Sequence, residues 1–536
     1  MRSLFLFSLL LAFGISVAAD SPKPNIVFIL ADDLGIGDVE CYGGDLCAID
    51  TPNIDALAEN GIRFTDAYVA ASVCIPSRIA MMTGRYPWRF GEPEKGGPWG
   101  FLGLRFPKDT FTLGDLLQSA GYETGYVGKW HLGTTMKTFE AEQTQDIGTV
   151  DYTHPLLAGP NDFGFSDTFI LPASLDMFPY AFLRNHEWLG EVTATKGWSA
   201  FNRQGPAEKD FEDHEVLEAF YRESESFIEK QSAEEPFFLF VGLTAPHTPT
   251  SPGTDWQDKS RIGIYGDFVM EVDHAVERVV ASLEKAGLTE NTLVLFSSDH
   301  GPASYAGRNP LAVPGQMDEL MKEGHHANGP YRGYKFTVFE GGQRVPLVAK
   351  WPKGVQDPGR SSDAIVGLVD LMATFAEVSG SPLSEKQAPD SFSFAPIFAD
   401  SEAETDRTSI VMQGAGNFVI REGKWKLCLN PGSGASGRHG NTPPEPKAWE
   451  DAIREFGRVP KVDETAQAPF LQLYNLKTDP AESTNLAAEK PGIVKELIAA
   501  LKGTIESGRS TQGEALPNDR EPIPYFPRVP RAMIKR

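Results

Sequence analysis

The sequence predicts an α/β fold: a large, mostly parallel or mixed β-sheet sandwiched by helices, followed by a smaller C-terminal α+β domain with an antiparallel sheet. Three observations point to it. Short apolar runs alternate with helical patterns over most of the chain, as strand and helix units do around a parallel sheet. Three of those runs empty into polar residues, Asp32-Asp33, His247 and Asp299, and open α/β sheets place their ligands beyond the carboxyl ends of strands. After about residue 398 the pattern changes to short strand-like segments with turn residues between them.

The elements follow in chain order. Met1-Arg2, the apolar stretch Leu4 to Val17 and the small pair Ala18-Ala19 form a secretory signal peptide, residues 1–19, with cleavage after Ala19. The stretch is short for a bilayer span of about 20 apolar residues. Asp20, not Cys, follows the cut, so no lipoprotein-type anchor is expected. The expectation is a periplasmic or secreted protein with no membrane span.

Ile26 to Leu30 is apolar without alternation and reads as a strand covered on both faces. Phe237 to Leu243 and Thr292 to Ser297 read the same way, with helices over Asn53 to Asn60, Leu113 to Ala120 and Phe268 to Ala286. Ser77 to Met82 is expected to be helical, which puts Cys74 near a helix N-terminus, where unpaired N–H groups favour negative charge.

The larger domain is expected over 20–398 and the smaller over 399–536. Strands over Thr408 to Gln413, Asn417 to Arg421, Lys424 to Leu429 and Leu471 to Asn475 precede a helix from Gly492 to Ser507. Asn430 to Pro446, rich in Gly, Pro and Ser, reads as a long loop able to reach the active-site mouth. The tail from Arg520 is expected to wrap the surface.

With 536 residues the chain can bury a substantial core, and one large domain with one small domain suits that length. The net charge of −24, from 49 basic and 73 acidic residues, argues against nucleic acid as a partner. Four cysteines do not make a disulfide scaffold. Cys41 and Cys47 are close enough in sequence to bridge or to stay free, and Cys428 reads as a core residue.

Six ordered motifs carry the chemistry. They are the strand ending in Ala31-Asp32-Asp33-Leu34-Gly35; Cys74-Ile75-Pro76-Ser77-Arg78; Gly128-Lys129-Trp130-His131; Ala245-Pro246-His247-Thr248-Pro249; Ser298-Asp299-His300-Gly301; and Arg332-Gly333-Tyr334-Lys335 with Phe339-Glu340-Gly341-Gly342. Together, from about Pro24 to Leu486, this set resembles the formylglycine-dependent sulfatases of the alkaline-phosphatase-like superfamily. Leu473-Tyr474-Asn475-Leu476 is similar to their C-terminal signature.

The resemblance implies that Cys74, within C-x-P-S-R, is oxidised to formylglycine by a separate maturase and serves as the nucleophile. It implies a metal held by Asp32, Asp33, Cys74 and Asp299; calcium is expected, with magnesium as the alternative, since both take oxygen ligands. His300 stands where the family commonly has Asn: it either coordinates or turns toward nucleophile or substrate, and imidazole suits calcium less well than oxygen does. Arg78 and Lys129 would hold the nucleophile and the site's charges. His131 would take the proton that lets sulfate leave, and His247 and Lys335 would grip the sulfate and protonate the leaving oxygen.

With calcium, the implied site sums to a net charge of +2, so a cationic pocket is compatible with an acidic protein. Exposed charges elsewhere are screened beyond roughly 8 Å.

The implied reaction is hydrolysis of a sulfate monoester of a sulfated carbohydrate, and the substrate a sulfated glycan. Similarity to galactosamine-6-sulfatases and arylsulfatases points to a galactose or N-acetylgalactosamine 6-sulfate. Asp176, His325 and His326 are the expected substrate contacts, while Trp188 reads as packing. A phosphoester or phosphonate monoester hydrolase of the same superfamily is the rival enzyme. A non-catalytic glycan-binding pseudosulfatase is the rival from another class. Oligomeric state is left open.

Overall fold

The computed structural model describes residues 22–91, 103–139, 149–197, 202–435 and 471–525. The expected signal peptide, most of the 430–446 loop and the end of the tail lie outside them.

Among the described residues a ten-stranded mixed sheet forms the centre. Five strands, β1 (Asn25–Asp32), β2 (Glu123–Lys129), β3 (Asp167–Leu171), β4 (Phe237–Pro246) and β5 (Thr292–Ser298), run parallel in the order β5-β1-β4-β2-β3. β6 (Leu347–Lys350) joins β5 antiparallel, and short strands complete both edges. β1 is buried along its whole length because strands flank it and helices cover the sheet, which explains why its apolar run does not alternate.

The three strands expected in this sheet are present and run slightly longer than their apolar runs, so Asp32 is itself the last residue of β1. Register aligns Leu30 with Gly242 and Ser297, and Lys129 with Leu171, bringing the carboxyl ends to one edge of the sheet.

Two helical groups complete the sandwich. One contains α1 (Pro52–Glu59), α4 (Val216–Glu229) and α5 (Ile264–Lys285); the other contains α2 (Cys74–Thr83), α3 (Leu113–Ser119) and α6 (Leu371–Ser379). α2 begins at Cys74 itself and carries Pro76 in its first turn, where the missing N–H has no intrahelical partner to lose. It stops at Gly84, whose φ of 63° is the left-handed conformation that glycine adopts most easily.

β7 (Ser409–Gly414), β8 (Asn417–Glu422), β9 (Trp425–Cys428) and β10 (Gln472–Asn475) form a separate four-stranded antiparallel sheet, with α7 (Pro491–Glu506) packed against it. Tyr86, Trp88 and Val369 of the larger unit share a core with Phe418, Ile420 and Leu427 of this sheet and Leu497 and Leu501 of α7. Cys428 is fully buried as expected, and Cys41 and Cys47 are both free and half-buried, so no bridge joins them.

A buried ionic network also joins the two units. Lys426 Nζ lies 2.9 Å from Glu340 Oε1 and 2.9 Å from Glu482 Oε1. Glu482 Oε2 accepts the backbone N–H of Glu340 at 2.6 Å, and Arg344 pairs with Glu340 Oε2 at 2.8 Å. Burial pushes the Glu482 carboxyl up to about 7, with Lys426 opposing and Glu340 adding to the rise. A folded-state value above the ordinary 4.5 means that the folded chain holds this proton more tightly than the unfolded one. The resulting stability is full below the unfolded value and is lost as pH rises through about 7. Glu482→Gln is expected to flatten the decline of melting temperature across that window; an unchanged decline would assign it to other groups.

Candidate active site

The site is built at the carboxyl ends of β1, β2, β4 and β5. Asp32 closes β1 and Asp33 follows it at φ 64°; His131, just after β2, has φ 57°. Non-glycine residues rarely adopt this left-handed region, and where they do the surrounding structure holds them there. Asp299 follows β5, and its backbone N–H bonds the Ala31 carbonyl at 3.1 Å while its Oδ1 accepts the Asp33 N–H at 3.1 Å. The two carboxylate-bearing strand ends are thereby locked together. Gly301 permits the next segment to close in, because a Cβ there would lie 1.9 Å from the Gly341 carbonyl oxygen.

Lys335 arrives from a long connection that three hydrogen bonds hold against the site. Lys335 N–H donates to Pro302 O at 2.9 Å, Phe336 N–H to Ser72 O at 2.7 Å, and Ser72 Oγ to Thr337 O at 2.8 Å. Because Ser72 lies two residues before Cys74, the lysine and the cysteine are positioned together. Lys335 Nζ bonds both Asp33 oxygens, at 2.7 and 2.8 Å, and lies 3.6 Å from Cys74 Sγ.

The other cations pair with the remaining carboxylates. Lys129 Nζ bonds Asp32 Oδ2, and Arg78 Nε donates to Asp299 Oδ2 at 3.1 Å. Arg78 Nη1 donates to the Lys129 carbonyl at 3.0 Å, which also accepts the Tyr126 hydroxyl at 2.7 Å. His300 Nε2 lies 3.3 Å from Cys74 Sγ, 3.1 Å from Asp33 Oδ1 and 3.6 Å from Asp299 Oδ1. Its Nδ1 is 2.9 Å from the Gly301 carbonyl, which can only accept, so Nδ1 carries the proton and Nε2 presents a lone pair in the neutral ring. His247 has Nδ1 2.6 Å from Thr248 O and Nε2 3.7 Å from Asp33 Oδ2.

Electrostatics follow from three cations and three carboxylates sharing a dry space. Burial opposes ionisation of Asp32, but Lys129, His247 and Arg78 together hold its carboxyl well below the usual range; Asp33 is lowered against the same penalty, chiefly by Lys335. Asp299 is raised by burial in spite of His300 and Arg78. Burial, reinforced by Lys129 and Arg78, pushes His131 well below the ordinary imidazole value, and neither of its ring nitrogens has a hydrogen-bond partner among the described residues. His131 is therefore a neutral ring with an available basic nitrogen.

The structure thus brings Cys74, Arg78, Lys129, His131, His247, Lys335, Asp32, Asp33, Asp299 and His300 into one buried constellation. Asp176 lies on the segment after β3, at whose start the Pro172 carbonyl accepts the His131 N–H at 3.2 Å. Arg203 holds Asp176 Oδ2 at 2.8 Å, while Oδ1 is buried without a hydrogen-bond partner.

His325 differs from expectation. It is fully buried, with Nε2 2.9 Å from Asp38 Oδ1 and Nδ1 accepting the Ala48 N–H at 3.2 Å, so neither nitrogen remains for a sugar. Its partner Asp38 also accepts from Gly35 N–H and Tyr265 Oη at 2.7 Å each, which makes His325 a brace for the turn after Asp33. His326 is half-buried, and its backbone bonds Leu46 O at 2.9 Å.

Sequence reading missed Tyr126, which looks like any strand aromatic. It also missed Tyr305, a buried phenol within electrostatic reach of Lys335, Asp33, Asp176 and Cys74. An aromatic six residues after Asp299 was the signal available for the second.

The donors fit a cation. Asp32, Asp33, Cys74 and His247 form one set with ligand atoms within 4.8 Å of one another, and Asp32, Cys74, Asp299 and His300 form another. Asp32 Oδ1 is buried with no hydrogen-bond partner, Arg78 Nη2 being 3.8 Å away. Leaving such an oxygen unmatched is costly unless a further positive group completes it.

Known proteins share this sequence pattern and fold. The sulfatase family profile matches residues 24–381. The chain is 30% identical over 523 residues to an N-acetylgalactosamine-6-O-sulfatase of Bacteroides thetaiotaomicron, covering 90% of this chain and 93% of that one. It is 32% identical over 509 residues to Homo sapiens arylsulfatase A, covering 92% and 89%. A solved Bacteroides thetaiotaomicron structure, from work on metabolism of multiple glycosaminoglycans, superposes with a TM-score of 0.74 at 29% identity, covering 90% of this chain and 99% of that one. Among the described residues no helix is long and apolar enough to cross a membrane. With the family profile spanning the strands that carry this Asp, Cys and His cluster, the chain belongs to the formylglycine-dependent sulfatase family of sulfate ester hydrolases.

Proposed function

We propose that the protein is an exported enzyme that removes sulfate from a sulfated carbohydrate, with a galactose or N-acetylgalactosamine 6-sulfate as the preferred unit. The observation that carries the reaction is the burial of Cys74 among Asp32, Asp33, Asp299 and His300, with Arg78, Lys129 and Lys335 interleaved. The sugar preference rests on the similarity to the N-acetylgalactosamine-6-O-sulfatase, and export on the pattern of the first nineteen residues.

Asp32, Asp33, Asp299, His300 and residue 74 would hold calcium, or magnesium in its place, and a maturase would convert Cys74 to formylglycine. Together they would supply an activated hydroxyl as nucleophile. The chain's own side chains do the rest. Lys129 keeps Asp32 ionised and oriented, and Arg78 orients Asp299. Lys335 and His247 converge on Asp33 and would bind sulfuryl oxygens. With its ring protonated on both nitrogens, His247 keeps Nδ1 on the Thr248 carbonyl and delivers the Nε2 proton to the leaving sugar oxygen. His131, neutral and unpartnered, accepts the proton whose removal releases sulfate. Asp176 Oδ1 would accept a sugar hydroxyl, with His326 as a second substrate contact.

Sulfate release by ion chromatography from 6-, 4-, 3- and 2-sulfated galactose and N-acetylhexosamine is expected only from 6-sulfates, with a higher KM in Asp176→Asn. Release from phosphate monoesters and from none of these sulfates would move the assignment to a phosphoester hydrolase.

His247→Asn is expected to slow sugar sulfate turnover by roughly 10²–10⁴-fold. An aryl sulfate, whose phenolate leaves without a proton, should suffer far less. Equal losses on both would remove His247 from the role of acid.

A further inference from the structure

Before oxidation, residue 74 offers sulfur where the mature enzyme offers oxygen, and in this chain it faces an imidazole. We propose that the folded chain with an unconverted thiol at Cys74 binds a thiophilic divalent metal such as Zn²⁺ or Co²⁺ through Cys74 Sγ, His300 Nε2, Asp32 and Asp299. Oxidation of Cys74 dismantles that site and leaves one suited to hard cations. The inference does not depend on which ester the mature enzyme cleaves.

Four donors of mixed softness are the set that tetrahedral zinc takes, whereas calcium takes six to eight oxygens. Ligands 2.0–2.3 Å from zinc at tetrahedral angles stand about 3.3–3.8 Å apart. Cys74 Sγ and His300 Nε2 are separated by 3.3 Å, and His300 Nε2 and Asp299 Oδ1 by 3.6 Å, with all four donors within 4.8 Å of one another.

Each donor is aimed by a second contact. His300 is fixed by its Nδ1 bond to Gly301 O, which leaves Nε2 as a lone pair. Asp299 is held through Oδ2 by Arg78, and Asp32 through Oδ2 by Lys129, leaving Asp32 Oδ1 without a hydrogen-bond partner. Asp33 stays with Lys335, which bonds both its oxygens. Charge agrees as well: three carboxylates balance three cations, so a divalent metal can offset the thiolate that binding creates.

His300 decides the preference. An asparagine there would present a hard amide oxygen; the imidazole nitrogen moves the set toward zinc and cobalt.

The test uses full-length protein from a host lacking the converting enzyme, with the thiol at position 74 verified by mass spectrometry and metals stripped by chelator. Titration with Co²⁺ is expected to raise a thiolate-to-cobalt charge-transfer band that saturates near one equivalent. Zn²⁺ should abolish the band and excess Ca²⁺ should not. Cys74→Ser and fully converted protein should lack it, and His300→Asn should weaken Co²⁺ binding roughly tenfold or more. Cys41→Ser/Cys47→Ser should keep it, since those half-buried thiols are the competing sulfur ligands. Circular dichroism would check that Cys74→Ser is folded, and the converted protein is a second comparison. No band, a band that survives Cys74→Ser or conversion, unchanged affinity in His300→Asn, or displacement by Ca²⁺ at matched concentration would each overturn the proposal.

Discussion

Cys74→Ala is expected to abolish sulfate release, a loss of roughly 10⁴-fold or more, while leaving the fold intact. The two outcomes separate because the side chain is small and its environment rigid. Cys74 begins α2 and is 4% exposed, and Ala at that place keeps the helix start while removing one buried sulfur. Neighbouring cations remain paired with carboxylates: Lys335 with Asp33, Lys129 with Asp32 and Arg78 with Asp299. Removing the nucleophile therefore leaves no unpaired buried charge, so stability should change little. Sulfate release from a 6-sulfated sugar, beside a thermal melt, checks both halves. Turnover within roughly tenfold of wild type in a pure preparation would refute Cys74 as nucleophile.

Lys426→Met is expected to destabilise the protein by about 3–5 kcal/mol at neutral pH. Its ammonium is fully buried between Glu340 and Glu482, 2.9 Å from each. Methionine matches the stem but leaves two carboxylates facing each other. Arg344 still compensates Glu340 at 2.8 Å, so Glu482 must protonate to relieve the repulsion. The loss should shrink in acid, where that proton is supplied. Glu340 starts the turn after the Lys335 segment, and Glu482 holds its backbone N–H, so activity should fall before global unfolding as denaturant rises. Chemical denaturation showing a change below about 1 kcal/mol would mean that the network contributes little.

Much of the fold was legible because the reasons for it are local. Fully buried parallel strands need continuous apolar runs, and β1, β4 and β5 were recognisable on that ground. β2 and β3 were not, since Gly125, Gly128 and Lys129 interrupt the first and both owe their strand state to pairing with β4 and with each other. Gly128 sits at φ 117° with a Cβ position only 1.9 Å from the Gly242 carbonyl oxygen, a close approach that no local propensity predicts. The antiparallel C-terminal strands were legible from their turns, whereas the buried Lys426 network was not, because its members lie far apart in sequence.

The active residues divide the same way. By itself the sequence determined the family and named the candidate nucleophile, carboxylates and proton carriers, because each of those readings depends on residue type within a short motif. Only the tertiary structure decided partnership and direction. His325 looked as exposed to substrate as His326, yet packing gave both its nitrogens to Asp38 and Ala48. His300 looked like a departure from a metal-ligand pattern, and the Gly301 carbonyl turned its Nε2 toward Cys74 and Asp33. Hydrogen-bond direction and desolvation arise from atoms that meet only when distant strands converge, so they belong to the folded chain and not to any stretch of its sequence.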